Sequence, residues 1–146
     1  MGLDVADESL GFLLGLSYRK LLGVLNVRLK EYDITPEQWS VLYRLSKQDG
    51  INQKEIARRS AKDQPTITRI LDALEKKGFV KKQLCPNDRR AFRIYLTDKG
   101  NCLLDKISPI ERETIEEMQS GLTSEQRELF HKLLVQIIEN LTNREK

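Results

Sequence analysis

The chain has 146 residues, 39% apolar and 32% charged, which is enough for a real core without disulfides or metal. Cys85 and Cys102 lie far apart, no CxxC pair occurs and His131 is the single histidine, so a Cys/His zinc site is excluded and free thiols in a reducing, cytoplasmic setting are expected. The net charge of +3 hides an asymmetry: residues 52–93 carry twelve Lys/Arg against five Asp/Glu (+7), and the remainder thirteen against seventeen (−4), a basic module between acidic flanks as a nucleic-acid surface requires.

The start, with Asp4, Asp7 and Glu8 before any basic residue, does not read as a secretory signal. The apolar run Phe12–Leu16 is followed at once by Ser17, Arg19 and Lys20, so no membrane partner is expected. From Ser9 to Lys30, Leu10, Leu14, Leu21, Leu25 and Leu29 form one helical stripe, widened by Leu13, Leu16 and Val24. Thr35-Pro36-Glu37 opens a second helix, with Thr35 as cap and Gln38 at the capping-box position; Trp39, Leu42, Tyr43 and Leu45 give its apolar face, and Asp49-Gly50 ends it. Asn52-Gln53-Lys54-Glu55 reads as another capping box, opening a short helix to about Ser60. Asp63-Gln64-Pro65 opens a fourth, with Ile67, Ile70, Leu71 and Leu74 at helical spacing and Lys76-Lys77-Gly78 as its close.

The period then changes. Residues 79–84 read as a strand, 85–90 as a polar turn and 91–96 as a returning strand, together a basic hairpin. Thr97 caps a long helix carrying Leu103, Leu104, Ile107, Ile110, Ile115 and Met118, which Pro109 should kink. Thr123-Ser124-Glu125-Gln126 is a further capping box, and the last helix carries Leu129, Phe130, Leu133, Leu134, Ile137, Ile138 and Leu141.

Gln53 to Asp72 fits a helix-turn-helix. Ala57 is small where two helices must cross, Ser60-Ala61 supply a tight turn, and Ile67 and Ile70 are the branched residues that the second helix must bury. Burying that face leaves Gln64, Pro65, Thr66, Thr68 and Arg69 outside, near a helix N-terminus. Arg can read guanine, Gln adenine, and Thr a phosphate or a thymine methyl. A solvated helix face is the plain alternative, and the hairpin that follows favours DNA.

Asp88-Arg89-Arg90 followed by Leu96-Thr97-Asp98-Lys99-Gly100 resembles the wing signature of the MarR family of bacterial regulators. Thr66-Ile67-Thr68-Arg69 through Leu74-Glu75-Lys76-Lys77-Gly78-Phe79-Val80 is similar to that family's recognition helix and its exit. The resemblance implies a mainly α fold with a small β-hairpin wing: one domain over 1–146, with a winged helix-turn-helix lobe at 35–97 and dimerisation helices at 9–31 and 98–146. It implies a homodimer on a palindromic operator, commonly a repressor, released by a small aromatic or lipophilic effector or an oxidant. It also implies a wing Asp-x-Arg pair, here Asp88 and Arg90, in which the Arg enters the minor groove and the Asp orients it. An Arg on a narrow tip suits that groove's negative floor, while Arg89 and Arg93 are placed to meet phosphates; a turn-making Asp88 with solvated arginines is the alternative.

The terminal helices hold more apolar surface than so small a lobe can cover, which favours a dimer over a monomeric helical cap. Phe12, Tyr18, Arg19, Trp39 and Tyr43 are the candidates to line an effector site, with simple core or surface roles as the alternative. The first helix has no cysteine to act as a peroxide sensor, and Cys85 beside Pro86 reads as an incidental thiol. No cofactor is called for, and no nucleophile–base pair, phosphate loop or metal cluster suggests an enzyme. A winged-helix module for protein contact is the rival reading, and RNA binding is disfavoured by the scarcity of stacking aromatics.

Overall fold

The computed structural model describes residues 4–144, apart from the side chains of 88–91. Six helices, a 3-10 turn and three short strands run in the order α1 (Leu10–Leu29), the turn Lys30–Tyr32, α2 (Pro36–Lys47), β1 (Ile51–Asn52), α3 (Gln53–Arg59), α4 (Gln64–Lys76), β2 (Val80–Cys85), β3 (Asp88–Leu96), α5 (Asp98–Met118) and α6 (Ser124–Arg144). The contacts divide the chain into two compact units, with the boundary between Arg112 and Glu113 inside α5.

In the first unit the helix starts are where their capping residues stand. Ser9 accepts the Phe12 N–H, and the Thr35 hydroxyl accepts the Gln38 N–H while the Gln38 side chain accepts the Thr35 N–H. Helix α2 buries Trp39, Val41, Leu42 and Leu45. They form one core with Leu25 and Leu29 of α1, Ile56 and Ala57 of α3, Ile67, Ile70, Leu71 and Leu74 of α4, Ile94 of β3, and Leu103, Leu104 and Ile107 of α5.

By length and apolarity alone α1 and the turn after it could cross a membrane, with a mean hydropathy of 1.3, a longer apolar segment than the run Phe12–Leu16 suggests. Two facts speak against a span, although only 6% of that apolar window is buried. Leu25 and Leu29 are buried in the lobe, and Arg19, Lys20 and Arg28 lie along it, residues that insertion into a bilayer disfavours.

The sheet order is β1-β3-β2, antiparallel throughout. Strand β1 has only two residues, paired Ile51 with Ile94 and Asn52 with Arg93, too short a segment for any sequence periodicity to reveal. The hairpin turn is tighter than the sequence suggests: Pro86 and Asn87 alone make it, and β3 already begins at Asp88, paired with Cys85 across an irregularity after Leu84.

The Leu96-Thr97-Asp98-Lys99-Gly100 stretch is a clasp. The Thr97 hydroxyl donates to the Gly78 carbonyl at 2.6 Å and accepts the Gly100 N–H at 3.1 Å. The Thr97 N–H donates to the Phe79 carbonyl at 3.1 Å, and Lys99 Nζ donates to the Lys77 carbonyl at 2.8 Å while lying 5.0 Å above the Phe79 ring. Gly100 is required by the approach: a Cβ there would stand 2.2 Å from the Phe79 carbonyl oxygen. The start of α5 is thereby stitched to the exit of α4. Helix α5 runs unbroken through Pro109.

In the second unit, Thr123 and Gln126 exchange both bonds of a capping box. Arg127 binds the Glu116 carboxylate at 2.6 Å and the carbonyls of Gln119 and Leu122, tying the end of α5 to the first turn of α6. Helix α6 buries no residue.

Candidate nucleic-acid interface

Helix α3 starts at Asn52, whose side chain accepts the Glu55 N–H at 2.8 Å. The reciprocal half of the expected capping box does not form. The Glu55 carboxylate turns to Arg58 and Arg59 instead, and their hydrogen bonds pull its pKa down to about 2. Ala57 is buried, and the turn is closed by Ala61 in the left-handed region at φ 53°. A β-branched residue would be more strained there.

Helix α4 starts at Asp63. Its carboxylate accepts the Thr66 N–H at 2.8 Å, and that bond holds its pKa below the usual carboxylate value. With Ile67, Ile70, Leu71 and Leu74 inside, Gln64, Pro65 and Arg69 are exposed and Thr66 and Thr68 half-exposed. The five anticipated residues therefore share one outward face. They are not equivalent. The Thr68 hydroxyl donates to the Gln64 carbonyl at 2.9 Å and accepts from Gln53 Nε2, so it already braces α4 against α3. Arg69, with 68% of its side chain exposed, reaches Glu37 of α2 at 3.4 Å, a contact loose enough in water to be exchanged for another anion.

The hairpin is fixed to α4 by Lys82, whose ammonium binds Asp72 and lies 3.9 Å from Glu75. Its side chain is only 17% exposed, so this link is firmer than a surface pair. Arg93 is exposed and donates to the Gly50 carbonyl at 3.3 Å. The side chains of Asp88, Arg89 and Arg90 lie outside the described residues; their backbone forms the first three positions of β3.

A winged helix-turn-helix with flanking helices is thus in place, and known proteins share both its sequence and its shape. The MarR family model matches residues 34–92, which span α2 through most of the hairpin. The solved transcriptional regulator PA3341 is 31% identical with a TM-score of 0.81, over 92% of this chain and 99% of that one. A MarR protein from Peptoclostridium difficile is 26% identical with a TM-score of 0.89, over 99% and 94% of the two chains. MepR of S. aureus, solved as a DNA complex, is 26% identical with a TM-score of 0.87, over 92% and 99%. The chain belongs to the MarR family. It is a DNA-binding transcriptional regulator, of a family whose members are regulators and not enzymes.

In this MarR-family chain the anticipated effector residues are only partly brought together. Trp39 is buried, donates from Nε1 to Glu111 at 2.5 Å, and has the Tyr43 ring 6.2 Å away. Tyr43 in turn faces the cations of Lys47 and Arg44. Tyr18 is 59% exposed on α1, Phe12 lies exposed near that helix's start, and the Arg19 guanidinium lies back over Gly15. A shallow groove of about 300 Å³ is lined by other residues: Leu22, Gly23, Asn26, Pro36 and Glu37. Sequence reasoning also passed over Lys82, Gln53 and Glu37, the three residues that hold α4 and Arg69 in place. Each acts on a residue ten to 32 positions away, a distance at which local pattern carries no signal.

Proposed function

We propose that this regulator works as a homodimer on a palindromic operator, with α4 in the major groove and the hairpin in the adjacent minor groove. The observation that carries this reading is the way α4 is mounted. Four buried residues fix its inner face, Lys82 ties it to the hairpin, and its outer face presents Gln64, Pro65, Thr66 and Arg69. In this reading Arg69 exchanges Glu37 for base edges or backbone, Thr68 contributes its methyl group while its hydroxyl stays with Gln53 and Gln64, and Arg89 and Arg93 meet phosphates. Arg90, oriented by Asp88, enters the minor groove.

Exposed apolar residues support the dimer. Leu129, Phe130, Leu133, Ile138 and Leu141 of α6 are 49–61% exposed, a stripe that water disfavours and a second copy would cover. The regulator is proposed to be a cytoplasmic repressor, released by a small aromatic or lipophilic molecule. The groove beside Glu37 supports this part, because an occupant there would lie next to the partner of Arg69. Phe12, Tyr18, Arg19, Trp39 and Tyr43 remain the other proposed effector residues, of which Trp39 and Tyr43 lie ring to ring.

Selecting bound fragments from random DNA and sequencing them tests the reading. Inverted half-sites about 10–10.5 base pairs apart, or a multiple of that, are expected. Unselective recovery would reject it.

A further inference from the structure

The hairpin carries an apolar pair that the fold does not use. Leu84 and Phe92 stand directly opposite each other across β2 and β3, and they are 55% and 39% exposed. Strand alternation puts Val80, Lys82 and Leu84 on one face with Phe92, Ile94 and Leu96 of the partner strand. The irregularity after Leu84 lies beyond this set, so the alternation holds throughout it.

That face has a known direction. At its inner end Val80 and Ile94 are buried in the core. Next comes Lys82, bound to Asp72 and Glu75 of α4. The face therefore looks towards the recognition helix, and Leu84 and Phe92 continue it roughly 6–7 Å further towards the tip. A solvated strand face this far from the core is ordinarily polar.

We propose that Leu84 and Phe92 form an apolar seat for the deoxyribose edge of the DNA strand that passes between α4 and the wing. This rests on the DNA reading above and adds a contact to it. A protein with a helix in one groove and a hairpin in the next straddles one sugar–phosphate strand. The sugars of that strand offer C–H surface and its phosphates offer charge. The hairpin matches both. In sequence, residues 80–93 hold five basic residues and one acidic one; by the strand alternation Lys82 shares the face of the apolar pair, bound to Asp72 and Glu75, while Lys81 and Arg93 lie on the opposite face. The same charge, +4, disfavours a second hairpin as the occupant, since two copies would repel.

The test uses the full chain and a DNA fragment that the wild type selects. Leu84→Thr, Phe92→Thr and the double variant keep strand propensity, and Phe92→Tyr keeps the ring. Each is titrated at several salt concentrations, with melting and sedimentation recorded alongside. The double variant should bind about tenfold more weakly with an unchanged salt slope, because an apolar contact releases no counterion. The single variants should fall between, and Phe92→Tyr should bind like the wild type. Wild-type affinity in the double variant would overturn the proposal while leaving the DNA reading intact. So would a change in oligomeric state, which would assign the pair to a second copy. Failure of the wild type to select or bind any DNA would overturn the DNA reading and the proposal with it.

Discussion

The winged lobe and the last helix use the same residue types to opposite ends. In the lobe, Leu and Ile side chains at helical spacing are buried to the last few per cent: Leu42, Leu45, Ile56, Ile67, Leu71, Leu74 and Ile94 are all 0% exposed. In α6 the same spacing leaves Leu129, Leu133, Ile138 and Leu141 more than half exposed. Periodicity thus says that a face is apolar but not what covers it. One set is complete within the chain; the other is left open, and the proposed second copy would cover it.

The largest effect should come from breaking the incomplete side. Deleting residues 125–146 should weaken operator binding by about 10²–10⁴-fold, because two linked readers become one. Sedimentation should show monomer or aggregate in place of dimer. An intact protein that is monomeric at micromolar concentration and on DNA would remove the contrast altogether.

On the complete side, Gly100→Ala should be the most damaging small change. Its methyl group must displace the Phe79 carbonyl, a backbone atom that cannot swing away. A loss of about 2–4 kcal/mol is expected from denaturant melts. Here the sequence was legible only in part. The Thr97-Asp98-Lys99-Gly100 stretch stood out as a motif, but the close approach that demands glycine depends on a contact with Phe79, 21 positions earlier, and no local pattern reports it.

Within the lobe, the two arginines should separate. Arg69→Ala should cost about 1–3 kcal/mol and relax preference at one position in each half-site, if it makes a bidentate base contact. Arg90→Ala should weaken all operators alike, shrink the flanking footprint and lower the salt slope by about one per subunit. Asp88→Ala should be a milder version of the same change. Titrations of the three variants against one selected operator would decide it, and wild-type behaviour in Arg90→Ala would confine reading to α4. The sequence announced the outward face of α4 because its apolar spacing is unambiguous. It did not announce that Thr68 is engaged with Gln53 or that Glu37 holds Arg69, since both pairings arise from how separate helices pack.

Smaller effects come from the turn. Ala61 sits at φ 53°, where glycine is unstrained, so Ala61→Gly should stabilise the lobe by about 0.5–1 kcal/mol in a thermal melt. Glu55 should give the smallest change. Its folded pKa of about 2 lies below the ordinary 4.5, so its contribution is complete above 4.5 and fades as pH falls towards 2. Glu55→Gln should flatten the acid limb of the stability profile over that window and nowhere else. The Asn52 cap was visible in sequence, whereas the choice of Glu55 between its cap and two arginines one turn on was a competition that spacing alone does not rank.

The most direct test of the account is the binding of the intact protein to a selected palindromic fragment and to a scrambled one, followed across salt. Two chains per duplex, preference for the palindrome and a steep fall of log affinity with log salt are predicted. Equal affinity for both fragments, or binding indifferent to salt, would contradict the claim that the basic lobe reads DNA.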